Sequence, residues 1–233
     1  MARSILNTPI EFDRSDFLSL LSLSAGMAIA NQNRMGELVI KDNGWNVNVR
    51  ERRITFGDNA FTMGILGSES EESGTWLWAW ANTESNLPEL VTAASRRAKK
   101  ALSDCPEFTE KKFMLDELHT GHNLAMVCMG VSEKDVCYYR CPYNGGAMLV
   151  QVEGLPEAVF EPLSAQQLMR QYLEIISAFY CDHRLLAAGF LYQNGTEFED
   201  GGDYIDGKFE DITLRFSFEN IDGLFRVVNI GSV

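Results

Sequence analysis

Apolar positions change period twice along this chain, and the changes mark its elements. Residues 17–30 are largely apolar, with Ser15, Ser19 and Ser22 recurring opposite Phe17, Leu20, Leu21 and Met27. That pattern predicts an amphipathic helix capped by Ser15 or Asp13. Residues 37–41, 45–50, 53–57 and 61–66 then alternate and predict short strands. Asp42-Asn43-Gly44 and Gly57-Asp58-Asn59 supply turn residues that tolerate positive φ. The polar stretch 67–74 predicts an exposed loop. Residues 75–82 carry apolar side chains at both alternating positions, as in a strand buried on two sides.

Asn86 with Glu89 three residues later predicts a capped helix start, with Leu87, Leu90, Val91, Ala94, Ala98 and Ala101 as its buried stripe. A second helix is predicted over 114–130. Pro142-Tyr143-Asn144-Gly145-Gly146, flanked by alternating runs 136–141 and 147–152, is a strong hairpin signal. Ser164 with Gln167 forms another capping box, opening one long helix that closes at Asn194-Gly195. Strands are predicted at 212–218 and 224–230. The strands fall in hairpins rather than alternating singly with helices. The expected fold is therefore α+β, with mostly antiparallel sheets packed by three to four helices, the longest near 164–194. Residues 1–233 read as one domain. Its halves, about 1–110 and 111–233, share a helix, hairpin, helix order without a residue-level repeat.

Composition narrows the function classes. With 45% hydrophobic residues and 11% aromatic, the chain is no disordered segment. A net charge of −13 opposes nonspecific binding to nucleic acid and adsorption to anionic membranes. Five cysteines, an odd and sparse set, predict reduced thiols rather than a disulfide scaffold. Residues 28–30 imitate a signal-peptide cleavage site. The segment before them, however, mixes Arg3 and Arg14 with Glu11, Asp13 and Asp16 and is not positive. A cytoplasmic location is expected.

The most distinctive feature is the set Trp76, Trp78, Trp80 and Asn82. Strand alternation would place all four on one face, with Leu77, Ala79 and Ala81 on the other. Such a face either packs as core or forms an aromatic groove for a planar or cationic ligand. The stretch Thr75-Trp76-Leu77-Trp78-Ala79-Trp80-Ala81-Asn82, followed by Asn86-Leu87-Pro88 and an alanine-rich helix, resembles an uncharacterised bacterial family of unknown function. The resemblance implies a bacterial cytosolic protein and transfers no catalytic residue.

Seven carboxylates fall within residues 197–211, among them Glu199, Asp200, Asp203 and Asp206. Their spacing misses the calcium-loop register, so a solvated hairpin arm able to meet a basic partner is expected. His119 and His122 at i, i+3 and Cys137 and Cys141 at i, i+4 match no standard zinc signature. Cys181 and His183 diverge on a helix and cannot form a dyad. Phosphate-loop, dinucleotide, nucleophile-elbow and zinc-protease motifs are absent from the sequence. No metal, cofactor or catalytic residue is expected. The sequence favours a noncatalytic binding or interaction protein, such as an immunity-type inhibitor whose partner is a basic protein. The alternative is an enzyme using the tryptophan face as a small-molecule groove, with Asp or Glu as acid and base.

Overall fold

The computed structural model describes residues 2–233 and confirms an α+β fold of antiparallel sheets. Helix α1 (Phe17–Met35) begins at neither expected cap. Asp16 is the N-cap, its carboxylate accepting from the Ser19 amide at 2.8 Å. α1 is buried around most of its circumference, so its serines are not a solvent face. Ser22 and Ser24 lie inside and return their hydroxyls to the carbonyls of Leu18 and Leu20. The chain continues through a π turn (Gly36–Ile40) where a strand was expected, because the helical ladder runs on past Met35.

Sheet A contains β1 (Trp45–Asn48), β2 (Arg53–Phe56), β3 (Asn59–Ser70), β4 (Thr75–Trp78), β5 (Lys112–Met114), β6 (Val136–Tyr143) and β7 (Gly146–Glu153). β3 organises it. Its start pairs with β2, its end with β4, and Thr62 to Ser70 pair with β7. The hairpin β6–β7, from the second half of the sequence, thus joins the sheet of the first half. The first half of the expected loop at 67–74 is strand, since β3 runs to Ser70 despite its polar composition, and only 71–74 form a turn. Gly67 is required within it, because a Cβ there would collide with the Trp76 ring.

Helix α2 (Ala93–Ala101) starts seven residues later than expected. Asn86 holds a positive φ of 47°, and Pro88 starts a turn rather than a helix. Short α3 (Pro106–Thr109) leads to β5, which takes the start of the expected 114–130 helix. Only α4 (Gly121–Gly130) remains of it, capped by Thr120. The single long helix expected at 164–194 is two, α5 (Ala165–Ala178) and α6 (His183–Asn194). Phe179 adopts an extended backbone, and buried Asp182 caps the new helix at Leu185 N. The capping box at Ser164 and Gln167 and the left-handed Gly195 after α6 are present as expected. Six helices are therefore present among the described residues, against three to four expected.

Sheet B runs β11-β10-β9-β8, with β8 (Glu197–Asp200), β9 (Tyr204–Lys208), β10 (Thr213–Ile221) and β11 (Leu224–Ser232). One core joins both sheets through the helices. Leu66, Trp76, Trp78 and Leu149 of sheet A and Ile205, Leu214, Phe216 and Phe218 of sheet B pack with α1, α4 and α6. A second core of Met35, Val39, Ile54, Phe56, Ile65, Val150 and Val152 covers the other face of sheet A. This two-sided burial is why strands such as β7 carry few polar positions.

Candidate functional site

The tryptophan face breaks at Trp78. Beyond it the backbone turns into a 3₁₀ helix (Ala79–Ala81), and alternation ends. Trp76 and Trp78 have no exposed surface. Their rings meet edge to face at 5.1 Å, and Trp78 Nε1 donates to the Glu107 carbonyl at 2.8 Å. Trp80, now on the 3₁₀ helix, still packs against the core that holds Trp76 and Trp78 but is only half-buried, with the Lys99 ammonium 3.5 Å from its ring centroid. Asn82 lines a recess of about 190 Å³ with Leu77 and Met148, on the side opposite Trp76 and Trp78, and its Oδ1 accepts from Ser85 N. The four residues do not share the single face that strand alternation predicted.

The acidic segment is a sheet hairpin, and most of its singled-out carboxylates already have cations. Glu199 pairs with Lys208 at 2.6 Å, Asp200 with Arg184, and Asp206 accepts two bonds from Arg215 at 2.7 and 2.6 Å. Asp206 is 8% exposed, and the Arg215 hydrogen bonds hold its carboxyl below the ordinary aspartate range. Asp203 alone of the four remains exposed and without an ion pair among the described residues.

His119 and His122 do not share a helix. His119 precedes α4 and sits between Asp116 at 2.9 Å and Glu107 at 3.3 Å, its ring 4.9 Å from that of Phe17. His122 Nδ1 lies 3.2 Å from the Tyr138 hydroxyl. All five cysteines are unpaired and buried. Burial pushes the thiols of Cys137, Cys141 and Cys181 up to about 12, so they stay protonated and unreactive at neutral pH. Among the described residues no three His, Cys, Asp or Glu side chains are placed to hold a metal. Sequence reading missed Glu69, set in the expected loop. Its carboxylate accepts from Gly121 N at 3.0 Å, at the start of α4, and from Arg140 Nε at 2.9 Å.

An open recess of about 670 Å³ lies between the end of α1, the π turn and α5, and two further concave sites flank the turn after α4. The larger of these two, about 470 Å³, lies between α2, the end of α4 and the N-terminal segment around Ser4–Asn7. Leu6, Ala94, Ala98, Cys128 and Val131 give it an apolar floor. Arg97, Lys100 and Lys134 stand at its rim, with Glu133. Arg97 and Lys134 share one carboxylate, Glu153, at 3.6 and 3.1 Å. Three cations against two carboxylates leave a local positive excess in a chain of net charge −13. α2 can form this rim because Ala94 and Ala98 face inward while Arg96, Arg97, Lys99 and Lys100 crowd its last turns, where cations complement the helix dipole. The smaller cavity, about 230 Å³, lies where α1, α4 and α6 meet the N-terminal segment.

No helix among the described residues is long and apolar enough to cross a membrane. Comparison with curated proteins and with solved structures gives no significant match in either. The family model of DUF6882, a family of unknown function, matches residues 18–154. That stretch runs from α1 through β7 and includes the tryptophan strand, α2, α4 and the cationic rim of the larger cleft, but not sheet B. The chain belongs to this family, DUF6882, a family of unknown function.

Proposed function

We propose that the protein is a noncatalytic binding module, and that the cleft between α2, α4 and the N-terminal segment takes a small organic anion with an apolar body. The carrying observation is the alanine-lined floor under Arg97, Lys100 and Lys134, a positive excess in an otherwise acidic chain. An anion is repelled by most of this surface, so local cations give it one preferred seat. The apolar floor supplies affinity by burial, and the rim fixes orientation. Buried, protonated thiols and histidines held by neighbouring groups favour binding over nucleophilic chemistry. The tryptophan-groove enzyme has less support, because Trp76 and Trp78 offer no exposed surface.

Titration with octanoate, with octanol as the uncharged control, tests this reading by calorimetry. Saturable binding of the acid, weakened at least tenfold in the double variant Arg97→Ala, Lys100→Ala, is the expected result. Equal binding of octanol, or an unaffected double variant, overturns it. A second reading, docking of a basic protein, is supported by Asp203, in the turn before β9, and Glu210 and Asp211, in the turn after it, which are exposed and carry no ion pair among the described residues.

A further inference from the structure

Among the side chains lining the anion cleft, Gln151 of β7 is a polar group where the fold calls for an apolar one. β7 pairs with β3 on one side and β6 on the other, so it is an interior strand. Gln151 shares its face with Leu149, which lies in the main core, and is itself only 4% exposed. Its partner on β3 is Gly64, where a Cβ would already come within 3.2 Å of Ala94 on α2. The amide therefore lies beneath α2, at the base of the cleft.

Its orientation follows from its neighbour. The Glu153 carboxylate can only accept, so the end of Gln151 facing it at 2.9 Å is Nε2. Oε1, at the other end, has no hydrogen-bond partner among the described residues, yet it is not sealed from solvent. Because the residue is almost wholly buried and lines the cleft, the cleft is where that oxygen is reached. Buried amides normally use both ends. Asn194 of α6 does so, on Leu163 N, Leu163 O and Thr196 Oγ1. Gln151 leaves its acceptor open.

That acceptor stands beside the cationic rim. Arg97 at 3.6 Å, Lys134 at 3.1 Å and Gln151 at 2.9 Å all converge on Glu153. One carboxylate does not exhaust these cations, since an ammonium has three donors and a guanidinium five. Lys100 has no ion pair among the described residues.

From this juxtaposition we infer that the anion taken by the cleft carries a hydroxyl close to its carboxylate, as a 2- or 3-hydroxy acid with an aliphatic tail does. The inference rests on the anion reading of the cleft and names its ligand class. The carboxylate meets Arg97, Lys100 and Lys134, the hydroxyl donates to Gln151 Oε1, and the tail lies on Ala94, Ala98 and Val131. A plain fatty acid would cover the same oxygen with methylenes and strip its water without replacing the bond, a loss the hydroxy acid avoids. Gln151 is thus the residue that sets the preference.

Calorimetric titration of the native protein with octanoate and with its 2-hydroxy, 3-hydroxy and 8-hydroxy derivatives tests this. A 2- or 3-hydroxy acid should bind about tenfold or more tighter than octanoate, whereas the 8-hydroxy acid, with its hydroxyl at the far end, should show no such gain. Gln151→Met keeps the side-chain length but has no amide oxygen. It should still bind octanoate, which reports an intact cleft, and lose most of the preference for the hydroxy acid. The position dependence in the native protein decides the matter even where that variant folds poorly. Octanoate binding with no gain from a near hydroxyl, an equal gain from the far one, or a preference retained by a well-folded Gln151→Met protein would overturn the hydroxy-acid assignment and leave the anion reading standing. Failure of every acid to bind would overturn both.

Discussion

Gly189 of α6 lies directly over the backbone of Leu23 in α1, so that a Cβ at position 189 would collide with the Leu23 carbonyl. Gly26 faces the ring of Phe190 in the same manner, one turn along the crossing. The two helices approach this closely because small residues stand at their contact, and sheet B is carried on the far side of α6. Gly189→Ala should therefore separate α6 from α1 and cost about 1–3 kcal/mol or more, as overpacking does, even though alanine is the better helix former. Denaturant midpoints of the two proteins measure it. An unchanged or raised midpoint would show that the crossing has slack.

The two buried tryptophans make a second prediction. Trp78 contacts Trp76 and Phe108 at ring separations of 5.1 Å each, and its indole nitrogen is bonded to Glu107. Trp78→Ala should cost about 3–5 kcal/mol, the range for large aromatic truncations in cores. Trp76 and Trp78 should emit at short wavelength and resist acrylamide, while Trp45 and Trp80, which keep some exposure, should quench. A stable, well-folded Trp78→Ala protein would contradict the packing described.

How far the fold was legible depended on whether local signals agreed with tertiary demands. The Asn144-Gly145 hairpin and the Ser164–Gln167 capping box are purely local and came out as read. Helix starts at Asn86 and Met114 failed because periodicity continued through segments whose backbones turn, at Asn86 with positive φ and at Lys112–Met114 by pairing with β4. β8 and β9 were read as a charged arm, since charge patterns do not reveal that Asp206, Asp200 and Glu199 each meet a cation from another strand or helix. The larger cleft was half visible. The cationic end of α2 was plain in the sequence, but Lys134 and Leu6 arrive there only through the fold. The smaller cavity left no trace in the pattern, because its walls come from segments far apart in the sequence, from Arg3 to Gly195.

His183 predicts a pH response. Its Nδ1 accepts the Val227 amide proton at 3.1 Å, which requires that nitrogen to be unprotonated, and Arg226 stands 3.3 Å from Nε2. Burial first, then the Arg226 charge, holds its pKa below the ordinary histidine value, with Asp182 opposing. The unfolded chain takes up the proton near 6.5, and the folded chain resists it. Stability should therefore fall as pH drops below about 7 and level off below the depressed native value. His183→Gln keeps an acceptor for Val227 but does not titrate, so its loss of stability between pH 7.5 and 5.5 should be smaller. Equal pH slopes for the two proteins would remove His183 from the account.

The acidic strands make the last prediction, which separates structure from docking within one cluster. Asp206 is clamped by two bonds from Arg215, whose guanidinium also lies 4.0 Å from the Tyr204 ring centroid, whereas Asp203 is exposed. Asp206→Asn should lower the melting temperature by a few degrees, since it removes one charge of a two-bond ion pair on β9 and β10. The native pair should also weaken with acid. A carboxyl held below its unfolded value stabilises the fold above that value, and the contribution disappears as pH falls through the native one. Asp203→Asn, combined with Glu210→Gln and Asp211→Asn, should leave the melting temperature almost unchanged. If these exposed carboxylates steer a basic partner, that triple variant should associate more slowly, and the native association rate should fall steeply with salt, because steering is screened beyond about 8 Å at physiological ionic strength. A triple variant that melts early would make all of these groups structural. One that melts normally and leaves association with a basic partner salt-independent and equally fast would deny the surface a docking role.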